Sequence, residues 1–348
     1  MAGPITATIG CDLGDRKTSL CIAYADGRTE RCKAIPTVRE AFEKWFTRPP
    51  ARVVMEAGTH SRWSSALLTE LGHEVIVANP RRLRLISQND SKSDEADAEL
   101  LARLGRADPK LLAPVRHRGM EAQCDLAVAK ARDTLVATRT RLIGTCRGMV
   151  KAMGRRLPKC TAESFHRTAR QHVPSELKPA LDPIFDALEK VETSIAAEDR
   201  SIKELVKKYP DVEVIAQPTG VGELTALVFL LTLEDKTRFK KSRSVGAFVG
   251  LRSKKKASGD SDPELRITKA GDPFLRRLLV QCANYILGKC RADSDIRRWG
   301  LELAKRGGKN ARKRAKVAVA RKLAVLMHRL WVSGEEYEPL RRAKRAAA

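Results

Sequence analysis

The first 110 or so residues alternate strand-like and helical segments in an order that few folds accommodate. Apolar, strand-like runs occupy residues 7–11, 19–24, 31–35, 52–55 and 74–78, and helical patterns occupy residues 38–46, 61–71 and 94–104. Asp26 and Gly27 separate the second and third runs, which is typical of a hairpin turn. This order predicts an α/β domain with three antiparallel strands followed by parallel crossovers.

Acidic residues stand where the predicted strands end and where the last helix begins. Asp12 follows the first strand, Glu56 follows the fourth, and Asp94 and Asp97 open the last helix. Residues three apart share one face of a helix. The layout is that of an RNase H-like (RuvC-like) domain, whose catalytic carboxylates lie at these places.

Several converging oxygen ligands are what hard divalent cations require. We therefore predict that Asp12, Glu56, Asp94 and Asp97 bind Mg²⁺, or Mn²⁺ in its place. The alternative for each acid taken singly is a surface carboxylate or a helix-capping residue.

The charge balance points to a polyanionic partner. The chain of 348 residues has a formal net charge of +25, which favours nucleic acid. A membrane is disfavoured, because the longest apolar run, residues 224–233, is too short to span a bilayer. The N-terminus lacks a signal-peptide pattern, and the eight cysteines lack metal-ligand spacing. These features predict reduced thiols and a cytoplasmic protein, nucleoid-associated when acting.

The middle of the chain reads as two long helices, separated by a break at residues 155–173. Apolar residues in the second helix follow steps of four and three, a heptad seam interrupted by Glu198. The seam consists of Leu177, Leu181, Ile184, Leu188, Val191, Ile195, Ile202 and Leu205. Its two interpretations, an intramolecular hairpin and a dimerising coiled coil, are equally compatible with the sequence.

Basic residues concentrate towards the C-terminus. Residues 301–348 hold 14 Lys and Arg against 4 Asp and Glu. Aromatic residues are only 5% of the chain, so contact with phosphate backbone is favoured over base stacking. The predicted nucleic-acid contacts are Lys254, Lys255, Lys256, Lys269, Arg276, Arg277, Lys309, Arg312, Lys313 and Lys316.

Motifs along nearly the whole chain resemble the IS110 family of insertion-sequence transposases, the DEDD enzymes understood as bridge-RNA-guided serine recombinases. The N-terminal matches lie at residues 10–12, 55–59, 77–80 and 92–98, and the C-terminal matches at 218–222, 248–251, 257–259 and 267–277. The resemblance implies a RuvC-like catalytic domain at residues 1–112, a helical dimerisation region at 113–209, and a mostly helical C-terminal transposase domain at 210–348.

The resemblance also implies a nucleophile and partners. The family places a serine directly before a glycine in the loop after Gly250 and Leu251, and here that residue is Ser258; Ser253 and Ser261 are not followed by glycine. The implied assembly is a homodimer or homotetramer on target and donor double-stranded DNA, bridged by a structured noncoding RNA. Acids of one subunit would act with the serine of another, through a 5′-phosphoserine intermediate.

Other functions remain as alternatives. An RNase H-like nuclease of the RuvC type would use water instead of a serine, and a nucleic-acid-binding protein could retain the acids without catalysis. The Asp12-Leu13-Gly14 segment also occurs in actin-like sugar kinases, but the helical, basic second half lacks the second phosphate loop that such kinases need.

Overall fold

The computed structural model describes residues 7–81, 83, 93–256, 258, 261, 263, 265–308 and 310–341. Lys309, Ala257, Gly259 and Lys92, which the sequence analysis singled out, lie outside the described residues. The chain divides into two compact units, Met1–His117 and Arg118–Ala348.

The first unit is a mixed α/β sheet with helices, as the sequence predicts. Its strands are β1 (Ala7–Leu13), β2 (Lys17–Tyr24), β3 (Thr29–Pro36), β4 (Arg52–Glu56) and β5 (Glu74–Ala78). Its helices are α1 (Arg39–Phe46), α2 (Ser61–Glu70) and α3 (Asp94–Ala107). The sheet order is β3-β2-β1-β4-β5, with β1, β2 and β3 antiparallel and β1, β4 and β5 parallel.

The two faces of this sheet bury different partners because successive strand residues point to opposite sides. Ile9, Cys11, Val53 and Met55 pack with the aromatic residues of α1 and the leucines of α2. On the other face Val54, Ile76 and Ala78 pack against Leu101 of α3, and Cys21 and Ala23 pack against Ala98 and Ala102 of the same helix.

Helix α3 comes unusually close to β1. A methyl group at Gly10 would lie 1.9 Å from the carbonyl oxygen of Ala98 and 2.6 Å from the amide nitrogen of Ala102. One at Gly105 would lie 2.3 Å from Cγ2 of Val54 and 3.2 Å from Cγ2 of Thr8. Glycine and alanine on the facing surfaces therefore let the helix backbone rest almost directly on the strands.

The second unit is largely helical. Its helices are α4 (Met120–Ala152), α5 (Phe165–Thr168), α6 (Lys178–Lys208), α7 (Asp211–Ala216), α8 (Glu223–Leu233), α9 (Val245–Phe248), α10 (Pro273–Ile286), α11 (Asp295–Lys305) and α12 (Ala311–Ser333). Helix α8 is buried from Thr225 to Leu233, so its apolar run forms the core of this unit with α10 and α12. No helix in the described parts of the chain has the length and apolar character that crossing a membrane requires.

The two long helices, α4 and α6, form an antiparallel hairpin. Arg132 of α4 pairs with Asp199 of α6 at 2.5 Å. Two helical turns further along α4, Arg139 pairs with Glu192 of α6 at 3.1 Å. The seam residues Leu181, Leu188, Ile195 and Ile202 are buried within the single chain. The intramolecular alternative for the seam is therefore the one observed, whereas dimerisation through this region stays a prediction.

Candidate active site

Asp12 and Glu56 are neighbours across the parallel strands β1 and β4. The register pairs Gly10 with Val54 and Cys11 with Met55, so Asp12 and Glu56 are the next pair along the two strands. Neighbouring strands lie about 4.8 Å apart, and residues two apart share a face. Asp12 and Glu56 therefore point to the side of Gly10 and Val54, which is the side that α3 covers.

Helix α3 brings Asp97 to the same corner. Gly105 of α3 lies over Thr8, and Ala98 lies over Gly10, so the helix runs antiparallel to β1 and its first turn lies towards the end of β1 that carries Asp12. The side-chain oxygen of Ser93 caps this turn by accepting from the amide of Ala96 at 3.2 Å. Asp97 is only 5% exposed, whereas Asp94 is exposed.

The described side chains do not form a ready-made coordination shell. Among the described residues, no three His, Cys, Asp or Glu side chains lie together as a metal-binding group. Asp12, Glu56 and Asp97 each take part in a polar or charged interaction within the protein. Carboxylate oxygens at one end of the sheet nevertheless suit a hard divalent cation. The backbone arrangement is thus compatible with a metal site, which stays a prediction.

The turn after β4 is braced by residues that the sequence analysis missed. The hydroxyl of Ser61 accepts from the amide of Gly58 at 3.0 Å and donates to the carbonyl oxygen of Gly58 at 2.8 Å. It also lies 2.9 Å from Nε2 of His117. These hydrogen bonds of the Ser61 hydroxyl hold the chain segment that follows Glu56 in place. Nothing in the sequence marks this bracing, because Ser61 and His117 lie 56 residues apart and meet only in the folded chain.

Ser258 lies at the tip of a hairpin-like excursion. The arms pair between Ser253 and Ile267, and the amide of Lys254 donates to the carbonyl oxygen of Arg266 at 3.0 Å. At the tip, the amides of Ser258 and Ser261 each donate to the other residue's carbonyl oxygen at 3.1 Å. Ser258 is exposed, so its side chain is accessible to solvent beside the pairing with Ser261.

The base of this arm is locked by close backbone contact. Gly250 has a φ of 74°, and a methyl group there would lie 2.0 Å from the carbonyl oxygen of Ala270. The guanidinium of Arg276 donates to the carbonyl oxygens of Ala270 at 2.8 Å and Val249 at 3.2 Å. Arg276, predicted as a nucleic-acid contact, thus braces the arm that carries Ser258.

The other residues near the arm that are predicted to contact nucleic acid differ in exposure and in ion pairing. Lys254, Lys255, Lys256 and Lys269 are exposed, and Lys255 already takes part in an interaction within the protein. Arg277 is about half exposed and pairs with Asp133. Their role in binding nucleic acid stays a prediction.

A basic groove of about 730 Å³ lies among α10, α11 and α12. These elements pack closely, because a methyl group at Gly300 of α11 would lie 2.5 Å from Cγ2 of Val319 and 2.8 Å from Cδ2 of Leu287. The cationic residues that line the groove are Lys289, Arg298, Lys305, Arg312 and Lys316.

Two of the five groove cations are already paired. Arg298 pairs with Asp293 at 2.6 Å and Lys305 with Glu302 at 2.7 Å. Lys289, Arg312 and Lys316 make no ion pair with the described residues. Arg312 and Lys316, two of the predicted nucleic-acid contacts, thus line the same groove as cations that are distant in sequence. Lys313, another predicted contact, is exposed but does not line the groove.

Comparison with known protein families gives two matches along the chain. Residues 9–154 match a model described as a transposase of the DEDD IS110 type. Residues 212–298 match the model of the transposase IS116/IS110/IS902 family. The first match contains Asp12, Glu56, Asp94 and Asp97, and the second contains Ser258.

Individual relatives cover most of the chain. The transposase for insertion sequence element IS1111A of Coxiella burnetii is 29% identical over 295 residues, 82% of this chain and 79% of the relative. A probable family 20 transposase of Pseudomonas aeruginosa is 27% identical over 299 residues, 84% of this chain and 87% of the relative. A putative transposase, y4qE, of Sinorhizobium fredii is 30% identical over 300 residues, 80% of this chain and 71% of the relative.

Proposed function

Because this chain belongs to the IS110 family of insertion-sequence transposases, we propose that it cuts and rejoins DNA by an RNA-guided exchange that uses Ser258 and carboxylate-bound Mg²⁺. The observation that carries the proposal is the shared corner of Asp12, Glu56 and Asp97. The strand register and the seating of α3 put the backbone positions of these three acids, distant in sequence, at one end of the sheet.

The sheet supports an RNase H-like assignment for the first unit. The order β3-β2-β1-β4-β5, with the first three strands antiparallel and β4 and β5 parallel to β1, is the arrangement expected for that fold. In that assignment the acids on β1, on β4 and on the covering helix would be the catalytic ones.

Four carboxylates would hold the metal. Asp12 and Glu56 supply oxygens from neighbouring strands, and Asp97 and Asp94 supply them from one helical turn. When bound, Mg²⁺ or Mn²⁺ would polarise the scissile phosphate and lower the cost of alkoxide formation. Asp97 is held buried at this corner, so its position depends on the close seating of α3 on Gly10.

Ser258 would act as the nucleophile. Its hydroxyl gives up a proton, Oγ forms a bond to phosphorus, and the bond from phosphorus to the 3′-oxygen breaks. The leaving 3′-oxygen takes up a proton, and a 5′-phosphoserine remains. Attack by another 3′-hydroxyl reverses the step, so rejoining needs no ATP. The exposed arm of Ser258 suits a nucleophile that must reach into a DNA strand.

The partners follow from the family and the charge. We propose target and donor double-stranded DNA, a structured noncoding RNA, and a homotetramer in which acids and serine come from different subunits. The net charge of +25 and the basic groove support a nucleic-acid assembly.

The proposal is tested with purified protein, RNA transcribed from the gene's flanking sequence, and a plasmid carrying the element. Ser258→Ala is expected to abolish the covalent protein–DNA adduct and recombination while leaving complex assembly intact. Ser261→Ala is the matched control, since its backbone hydrogen bonds to Ser258 do not involve the side chain. Asp97→Asn is expected to abolish strand cleavage.

The outcomes separate the alternatives. Cleavage by Ser258→Ala at the wild-type rate without an adduct would favour a water-using endonuclease of the RuvC type. Nucleic-acid binding that persists in a wild-type protein without any cleavage would favour a binding protein. Mixing Ser258→Ala with Asp12→Ala protein is expected to restore some cleavage if the site is shared between subunits.

A further inference from the structure

His60 lies where the chain leaves the strands that carry the acids. It follows Glu56 by four residues, in the turn after β4. Its Nε2 lies 3.8 Å from Oδ1 of Asp15, and Asp15 follows Asp12 by three residues in the turn after β1. The imidazole therefore stands at the sheet edge between the two segments that continue from Asp12 and Glu56.

The tautomer of His60 is set by Trp63. The indole Nε1–H of Trp63 donates to Nδ1 of His60 at 3.1 Å, and an indole N–H is only a donor. Nδ1 must therefore carry the lone pair, which leaves the ring hydrogen of the neutral imidazole on Nε2. The Trp63 ring also meets the imidazole edge-on, with a centroid distance of 6.2 Å, which limits how the ring can turn.

The Nε2–H of His60 is available to a ligand. The 3.8 Å separation from Asp15 is too long for a hydrogen bond, and no acceptor among the described residues lies within hydrogen-bond distance of Nε2. The side chain of His60 is 26% exposed and that of Asp15 is 95% exposed. The donor thus faces an open edge rather than the protein interior.

We propose that His60 donates this Nε2–H to a non-bridging oxygen of the scissile phosphate and so acts as a catalytic residue. The inference rests on the proposed function. The acids offer only negative charge to an anionic phosphate, so an oriented N–H donor in the turn that follows Glu56, facing the turn that follows Asp12, would stabilise the charge that grows in the transition state. Trp63 is the positioning residue that aims it.

Two variants of His60 distinguish a role as a hydrogen-bond donor from a purely structural role of the side chain. His60→Ala removes the donor and is expected to lower kcat for strand cleavage by about 10²-fold, the lower end of the loss for one transition-state donor, with KM little changed. His60→Gln keeps an N–H donor near the position of Nε2 and is expected to retain most of the activity. His172→Ala is the control, because His172 is an exposed histidine of the second unit.

A spectroscopic measurement tests the tautomer without any reaction. In ¹⁵N-histidine-labelled protein, long-range ¹H–¹⁵N correlations of the His60 ring are expected to show the hydrogen on Nε2. Trp63→Phe removes the indole donor, so both tautomers should then appear. Thermal unfolding of each variant establishes that it is folded.

The failures are distinguishable. A hydrogen on Nδ1, or wild-type cleavage by folded His60→Ala alongside an inactive Asp97→Asn, would overturn the role of His60 and leave the proposed function standing. Absence of metal-dependent cleavage in the wild-type protein would overturn the proposed function itself and, with it, this assignment.

Discussion

At Gly10 the sheet leaves no room for a side chain. The atoms that a methyl group would meet at 1.9 and 2.6 Å belong to the backbone of α3, which cannot move aside atom by atom. We expect Gly10→Ala to lower the free energy of unfolding by about 1–3 kcal/mol, the usual cost of overpacking, as measured by urea denaturation.

Gly58→Ala is the matched control for this change, since no atom lies within 4 Å of the added methyl group. The glycine explanation is wrong if both variants unfold at the same urea concentration. Because Asp97 lies on α3, Gly10→Ala should also slow metal-dependent cleavage.

The buried His328 gives the second unit a pH-dependent stability. It is fully buried, with Nδ1 accepting from the Ser242 hydroxyl at 2.9 Å and Nε2 donating to the carbonyl oxygen of Lys236 at 3.1 Å. Burial lowers its pKa below the ordinary value of 6.5. The unfolded chain then binds a proton more readily, so this stability is present above pH 6.5 and is lost as the pH falls.

We therefore expect the free energy of unfolding to fall by up to about 1.4 kcal/mol between pH 7.5 and pH 5.5 through this residue. His328→Gln should be less stable at both pH values but should lack that part of the pH dependence. His172→Gln, an exposed-histidine control, should keep it. An unchanged pH dependence in His328→Gln would show that the loss arises elsewhere.

Single residues were predictable where a local pattern marks them. The positions of Asp12, Glu56 and Asp97 at strand ends and a helix start were predictable because these are local features, whereas their role in binding a metal stays a prediction. The orientation of His60 and the bracing role of Arg276 could not, because each depends on contacts that only the folded chain supplies, the approach of Asp15 in one case and the carbonyl oxygens of Val249 and Ala270 in the other.

At the scale of elements, alternation and helical periodicity predicted β1 to β5 and α1 to α3, the strands and α-helices described in the first unit, to within a few residues. The prediction of a hairpin turn at Asp26 and Gly27 is also confirmed, because Gly27 has a φ of 94° and β2 pairs antiparallel with β3. The arm that carries Ser258 was predicted only as a polar loop, because the backbone pairing of its described residues leaves no alternating apolar pattern.

The intramolecular packing of the apolar seam of α6 against α4 can be tested by placing a charge in the seam. We expect Ile195→Asp to destabilise the protein by at least about 3 kcal/mol, since it places a charge among buried apolar side chains. Circular dichroism should show helix melting at a lower temperature, while sedimentation of the folded protein shows an unchanged assembly state.

Ala197→Asp is the control on the same helix, at an exposed position, and should have little effect on either measurement. If Ile195→Asp instead yields a smaller, fully folded species, the seam joins subunits and the hairpin does not explain its burial.

At the scale of the whole molecule, charge was predictable in amount but not in arrangement. The sequence places Arg312 and Lys316 on one helical face, yet the groove also needs Lys289 from beyond α10 and Arg298 from α11. Only tertiary packing around Gly300 brings these residues together. The net charge of +25 therefore implies a partner class, and the fold supplies a specific surface for it.

The salt dependence of nucleic-acid binding should reveal whether that surface is used. Each phosphate neutralised contributes about −0.9 to the slope of log affinity against log salt on duplex DNA. Replacing Lys289, Arg312 and Lys316 with glutamine is expected to reduce the magnitude of the slope by up to about 2.7, because these are the unpaired groove cations. Fluorescence anisotropy with a labelled duplex over a range of salt concentrations gives the slope.

The control must remove the same charge elsewhere, because any loss of three cations weakens long-range attraction. Lys190, Arg200 and Lys203 are exposed on α6, and their replacement with glutamine lowers the net charge equally. If phosphate contacts concentrate in the groove, the α6 variant should keep a slope close to that of the wild-type protein, since a change in overall field alone releases few condensed counterions. Equal slopes for the two triple variants would mean that the duplex is held by the diffuse charge of the chain and not by the groove.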